Sequence, residues 1–170
     1  MKSLIRFGGI WTFVCKDKYG NEKWRDASHN LVVNEGLNHI LDGLFNSADS
    51  SGFTVDPFYI GLLGSAPSPA AEDILDSSLE EITAYDEATR QEYVGVRTDQ
   101  TVSNSTSKAT FTVDTNSTTI GGAILAGDNT KGGSTGILLC EVAFSNGDRT
   151  LNDNETIEVQ YDFSASDDGA

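Results

Sequence analysis

The chain has 170 residues, 38% hydrophobic and 9% aromatic, and its 11 Lys+Arg against 26 Asp+Glu give a formal charge of -15. That length and apolar content suit one domain, residues 1–170, able to bury roughly two thirds of its unfolded surface, so neither disorder nor a core held by disulfides or a metal is expected. With no basic run to follow a phosphate backbone, nucleic acid is not an expected partner.

The opening Met1-Lys2-Ser3-Leu4-Ile5-Arg6-Phe7 has a basic flank but no apolar run long enough for a signal peptide or a membrane span. A protein made in the cytoplasm, with no membrane partner, is expected. Residues 9–17 alternate, with Trp11, Phe13 and Cys15 on one face and Ile10, Thr12, Val14 and Lys16 on the other. Turn chemistry at Asp17-Lys18-Tyr19-Gly20-Asn21 then predicts a hairpin whose second strand is Lys23-Trp24-Arg25-Asp26-Ala27. Trp11 and Trp24 are expected in the core.

Leu37, Ile40, Leu41, Leu44 and Phe45 recur at helical spacing. They predict one short amphipathic helix, with Asn34 as N-cap, Glu35 at the positive end of the helix dipole, and Gly36 and Gly43 weakening it. After a polar stretch at 46–52, residues 58–63 read as a buried strand, and residues 64–78 as a surface loop. Further strands are predicted at 93–98, 109–113, 119–126, 137–144 and 155–164, with an acidic frayed tail over about 165–170. In the last strand Ile157, Val159, Tyr161 and Phe163 face one way and Glu158, Gln160 and Asp162 the other. The predicted fold class is all-β dominated: an antiparallel β-sandwich or jelly roll with one short amphipathic α-helix near the N-terminus.

Motifs that carry chemistry are weak. Gly132-Gly133-Ser134-Thr135-Gly136 matches the pattern of a hydrolase nucleophile elbow, but a polar loop precedes it and a β-like run follows, so a glycine-rich hairpin loop is expected. His29 and His39, ten residues apart, lack the spacing that sets two ligands on one helical face. Asn152-Asp153-Asn154-Glu155 and residues 162–168 lack the alternating ligands and central glycine of a calcium loop. Cys15 and Cys140 are expected as free, buried thiols, and Gly121-Gly122 as a bulge or close strand approach. Asn-x-Ser/Thr matches at Asn104, Asn116 and Asn154 carry no weight in a chain that is not secreted. No catalytic residue, cofactor or metal ligand is expected, and the chain is read as a non-enzyme.

Trp24-Arg25-Asp26 leading into His29-Asn30-Leu31-Val32-Val33-Asn34-Glu35-Gly36-Leu37-Asn38 resembles the N-terminal block of a family of small structural proteins of tailed phages. Further blocks are similar: Tyr59-Ile60-Gly61-Leu62, Ile82-Thr83-Ala84-Tyr85-Asp86-Glu87-Ala88-Thr89-Arg90, Ser107-Lys108-Ala109-Thr110-Phe111, Thr119-Ile120-Gly121-Gly122-Ala123, Lys131-Gly132-Gly133 and Gly147-Asp148-Arg149. The resemblance spans most of the chain in order. It implies a head cement or decoration protein of a podovirus-like particle, with a jelly-roll-like fold, sitting on the outer surface of the head. The implied partners are the major capsid protein and further copies of the chain, as a homodimer or homotrimer on a symmetry axis.

Contacts with the capsid or with another copy are expected at Leu4, Ile5 and Phe7, which lie outside the first hairpin and could join a neighbour's sheet edge; packing of this arm in the protein's own core is the competing expectation. Two other functions compete. One is a tail- or fibre-associated structural protein; the other is a carbohydrate-binding sandwich using Tyr19, Tyr85 and Tyr93 as stacking platforms.

Overall fold

The computed structural model of the chain describes residues 4–45 and 57–167. The polar 46–52 stretch and residues 168–170 of the acidic tail lie outside the described residues. In chain order the elements are β1 (Ile5–Lys16), β2 (Glu22–His29), β3 (Leu31–Val32), α1 (Asn34–Phe45), β4 (Tyr59–Leu63), β5 (Glu81–Ile82), β6 (Gln91–Glu92), β7 (Val96–Thr98) and β8 (Thr101–Ser103). They continue as β9 (Ala109–Thr112), β10 (Thr118–Ile120), β11 (Gly122–Ala126), β12 (Leu138–Ala143), β13 (Arg149–Leu151) and β14 (Thr156–Asp167).

The fold is the expected all-β class, a sandwich of two antiparallel sheets with one helix among the described residues. The first sheet runs β2-β1-β14-β8-β7, with β9 also paired to β14. The second runs β3-β12-β11-β4-β5, with β6 also on β4, and β10 and β13 form a separate ribbon. Between the sheets, Trp11, Phe13, Cys15, Phe111, Ile157, Val159 and Tyr161 of the first meet Ile60, Leu62, Ala123, Leu125, Cys140 and Val142 of the second. The Trp11 and Tyr161 rings stack at 4.3 Å. The alternation read in β1 and β14 is therefore the face that buries. On the outward face Lys16 pairs with Glu158.

The second sheet differs from the first because both of its faces are covered, so every residue of β11 is buried. The predicted surface loop at 64–78 runs as a strap over residues 64–80 across its outer face. The strap carries Leu75, 5% exposed, into a second cluster with Val33, Leu63, Ile124, Ala126 and Leu138. Its end is a 3-10 turn, Ser77–Leu79, capped by Asp76 Oδ1, which accepts from Ser78 N at 2.7 Å.

Helix α1 begins one residue earlier than a cap at Asn34 requires: the carbonyl of Val33 accepts from Leu37 N at 3.0 Å. Gly36 is a contact point and not a flaw, since a methyl group there would collide with the Leu139 carbonyl. Glu35 turns to the sheet, where its Oε2 accepts from Leu138 N at 2.7 Å.

One predicted strand is subdivided and another shortened. Residues 119–126 break at Gly121, passing from β10 into β11, where a side chain on Gly122 would strike the Val142 carbonyl; this is the expected close approach. Of residues 93–98 only Val96–Thr98, which is β7, is strand. The predicted frayed tail is corrected at its start: β14 continues through Asp167, with Phe7 opposite Ala165 and Ile5 opposite Asp167. Asn104, 0% exposed, joins β8 to β9 along β14. Its side chain accepts from Tyr161 N at 2.7 Å and donates to Val159 O at 3.2 Å, standing in for a missing strand residue.

Candidate functional site

β1 outlasts its neighbour. β2 leaves it at the Ile10–His29 pair, whereas β14 stays paired down to Ile5, so residues 5–8 have a strand on one side only among the described residues. The free side is identified by Gly9, whose carbonyl accepts from Asn30 N at 3.3 Å on the side of β2. Because backbone groups alternate along an antiparallel strand, the N–H and C=O of Ile5 and Phe7 point the same way, into the open edge. Ala165 agrees: opposite Phe7, it too turns away from the shared ladder and donates to Gln100 O at 3.0 Å.

On the face of Ile5 and Phe7 the β1 side chains at this end are apolar, with the exposed Arg6 on the other face. Ile5 and Phe7 continue the face of Trp11 and Phe13, but here Ile5 is 64% exposed and Phe7 stacks on Phe163 at 6.2 Å. Leu4 is 52% exposed and Ile10, on the opposite face, 43%. Of the expected contact residues Leu4, Ile5 and Phe7, Phe7 is thus brought against Phe163 beside the exposed Ile5, whereas Leu4 precedes the strand and Ile10 lies on the other face. The period of two from Trp11 back to Ile5 was the signal for the shared face. From Ile5 onward the arm is a strand of the chain's own sheet, and Ile5 is not packed in the core. An open edge flanked by exposed apolar side chains has the chemistry to accept a further strand.

The residues weighed for catalysis are dispersed. Ser134 is exposed in the loop between β11 and β12, and a strand follows it where an elbow requires a helix. His29 is exposed at the end of β2, and His39 lies edge-on to Phe58 at 5.7 Å. In the Asn152–Glu155 turn, Glu155 is occupied by Lys23 Nζ at 2.6 Å and by Asn152 N at 3.0 Å. Among the described residues no three His, Cys, Asp or Glu are grouped to hold a metal ion. Cys15 and Cys140 are buried and free, and burial pushes their thiols up to about 11 and about 12.

The three tyrosines do not form a sugar platform. Tyr85 is 1% exposed and packs edge-on to Phe111 at 5.0 Å, while the Tyr93 hydroxyl donates to Val102 O at 2.7 Å from within the core margin. Only Tyr19 is open, at 77%. Aromatic residues in turns looked available in sequence, but two of them are needed to fill the sandwich.

The blocks that carry the phage resemblance meet at buried polar joints. Asp26, 2% exposed, accepts from Ser28 Oγ, Ser145 N, Ser145 Oγ, Asn146 N and Asn146 Nδ2, and so ties β2 to the turn after β12. Burial alone would raise its pKa, but these hydrogen bonds hold the carboxyl below the usual range. Arg149 of the neighbouring block lies over the Trp24 ring at 5.6 Å, and Asp148 Oδ1 accepts from Ala66 N at 2.9 Å to hold the strap. Arg90, 1% exposed, grips Glu81 through Nε at 2.9 Å and Nη2 at 2.6 Å, and donates to the carbonyls of Asp128 and Gly133, both at 2.7 Å. Lys131 closes the same joint by donating to Tyr85 O at 2.7 Å. These residues fix loops between elements and converge on no cleft.

Comparison of the chain with known protein families, with curated proteins and with solved structures finds no match.

Proposed function

We propose that this chain is a structural protein of a tailed-bacteriophage particle, one that decorates the outside of the head and stabilises the capsid lattice. The observation that carries the proposal is the end of the β1–β14 ribbon: an open strand edge at Ile5 and Phe7 flanked by exposed apolar side chains. The ordered resemblance of the blocks around Asp26, Arg90 and Arg149 supports the same role. So does the charge of -15, which keeps unassembled copies apart and disfavours the DNA-lined interior.

In this role the major capsid protein supplies a strand or an apolar shelf to β1. Binding to the assembled lattice, and not to free subunits, stabilises the lattice by mass action. Modest single contacts suffice because many copies act together, and association as a homodimer or homotrimer adds avidity. A reconstruction of the purified particle by cryo-electron microscopy tests the proposal. Density for the sandwich at icosahedral positions outside the head is expected. Density confined to the tail would leave a phage structural protein but overturn the decoration role, and absence from the particle would overturn both.

A further inference from the structure

Glu141 sits on β12, on the face of the second sheet that the strap covers, and is 2% exposed. Its Oε1 accepts from Ala70 N at 3.1 Å, and the same N–H is donated to Asp73 Oδ2 at 2.7 Å. One amide hydrogen therefore lies between two carboxyl groups, one on the sheet and one on the strap. The pocket above them, about 250 Å3, is bordered by Leu63, Pro67, Ser78, Glu80 and their neighbours, and no Lys, Arg or His is among its lining residues.

Like charges this close, with no cation to offset them, cannot both be ionised without a large cost. A proton between the two carboxyls replaces that repulsion with a charge-assisted hydrogen bond. Other groups do not change the balance. On the strap the charged neighbours are Asp73 and Glu80; β11 and β3 place Ile124 and Leu31 opposite Glu141; the Glu35 carboxylate of α1 is engaged by Leu138 N. On β12 itself the adjacent ionisable group is the buried Cys140 thiol.

We propose that one proton shared by Glu141 and Asp73 latches the middle of the strap to β12, and that its loss loosens the strap between Pro67 and Asp73 while both ends stay fastened. The fastenings that remain are Ala66 N to Asp148, Gly64 N to Glu80 O at 3.0 Å and Leu75 in the second cluster. Burial first, then Asp73, push Glu141 up to about 8, so the latch is closed at neutral pH and opens just above it. The sign follows from linkage. The folded chain holds this proton between the ordinary value of 4.5 and about 8 while the unfolded chain does not, so stability from this pair falls as pH rises through that window.

The test is hydrogen–deuterium exchange of the intact chain from pH 6 to 9.5, corrected for the intrinsic rise of exchange with pH. Protection of Ala70 and its strap neighbours is expected to fall about tenfold per pH unit from pH 6 up to about 8 and to level off above it, and Glu141→Gln, permanently neutral, is expected to hold it constant. Flat protection in the unmodified chain, or an equal fall in Glu141→Gln, would overturn the proposal. A carboxyl-carbon NMR titration of the unmodified chain covers the case in which the variant fails to fold: a Glu141 midpoint near 8 is expected, and one near 4.5 refutes the latch.

Discussion

The β1–β14 ribbon has two ends made of the same two strands in one unbroken register. At one end Trp11, Phe13, Val159 and Tyr161 are all 0% exposed; at the other, Ile5 on the same face is 64% exposed. The pattern of side chains is the same at both ends. What differs is cover: the second sheet lies over the first end and not over the second, and β2 flanks one and not the other. Apolar alternation thus assigns a face, but burial belongs to whatever packs on that face. An uncovered apolar face with an open edge has the chemistry to accept a further strand.

Substitutions sharpen this contrast. The largest effect is expected from Trp11→Ala at the covered end, a loss of about 3–5 kcal/mol in chemical denaturation because a buried aromatic leaves a cavity. Asn104→Ala, beside the same covered end, is expected to cost about 1–3 kcal/mol, since Tyr161 N and Val159 O lose their partner in the interior. An equal or smaller loss from Trp11→Ala than from Asn104→Ala would break the account of the covered end.

Asp26 adds a pH test where β2 holds the turn after β12. Its carboxyl is held below the ordinary 3.8, so its contribution is complete above that value and is lost as pH falls through the lower, folded value. Asp26→Asn is expected to flatten stability against pH on the acid side, measured by thermal unfolding between pH 2 and 6.

The smallest stability effect, under about 1 kcal/mol, is expected from Ile5→Pro. The lost N–H points into the open edge and not to β14, and the first residue of a strand tolerates proline. Binding to expanded capsids, followed by cosedimentation, should nevertheless be lost. Retained binding by a folded Ile5→Pro protein would remove this edge from the proposed contact.

Strands with a clear period, β1, β2 and β14, were legible in sequence because alternating burial writes itself into alternating residue types. Two- and three-residue strands such as β3, β5, β8 and β13 were not, for they are shorter than any period and exist only through the partners they pair with. The buried joints were hidden for a related reason. Arg90, Asp26, Asn104 and Glu141 are polar residues that single-sequence reasoning assigns to the surface, and each is buried because partners distant in the chain satisfy it or share its proton. Gly36 looked like a helix weakness until Leu139 was found against it.

By itself, then, the sequence determined the all-β class, the helix, the inward faces of the long strands and the acidity of the surface, all of which follow from local periodicity and composition. Only the tertiary structure decided that residues 64–80 close a sheet, that Glu141 faces Asp73, and that Ile5 and Phe7 stand on an open edge. Those outcomes depend on which segments lie next to one another in space, and neither the period nor the composition of a segment specifies its neighbours.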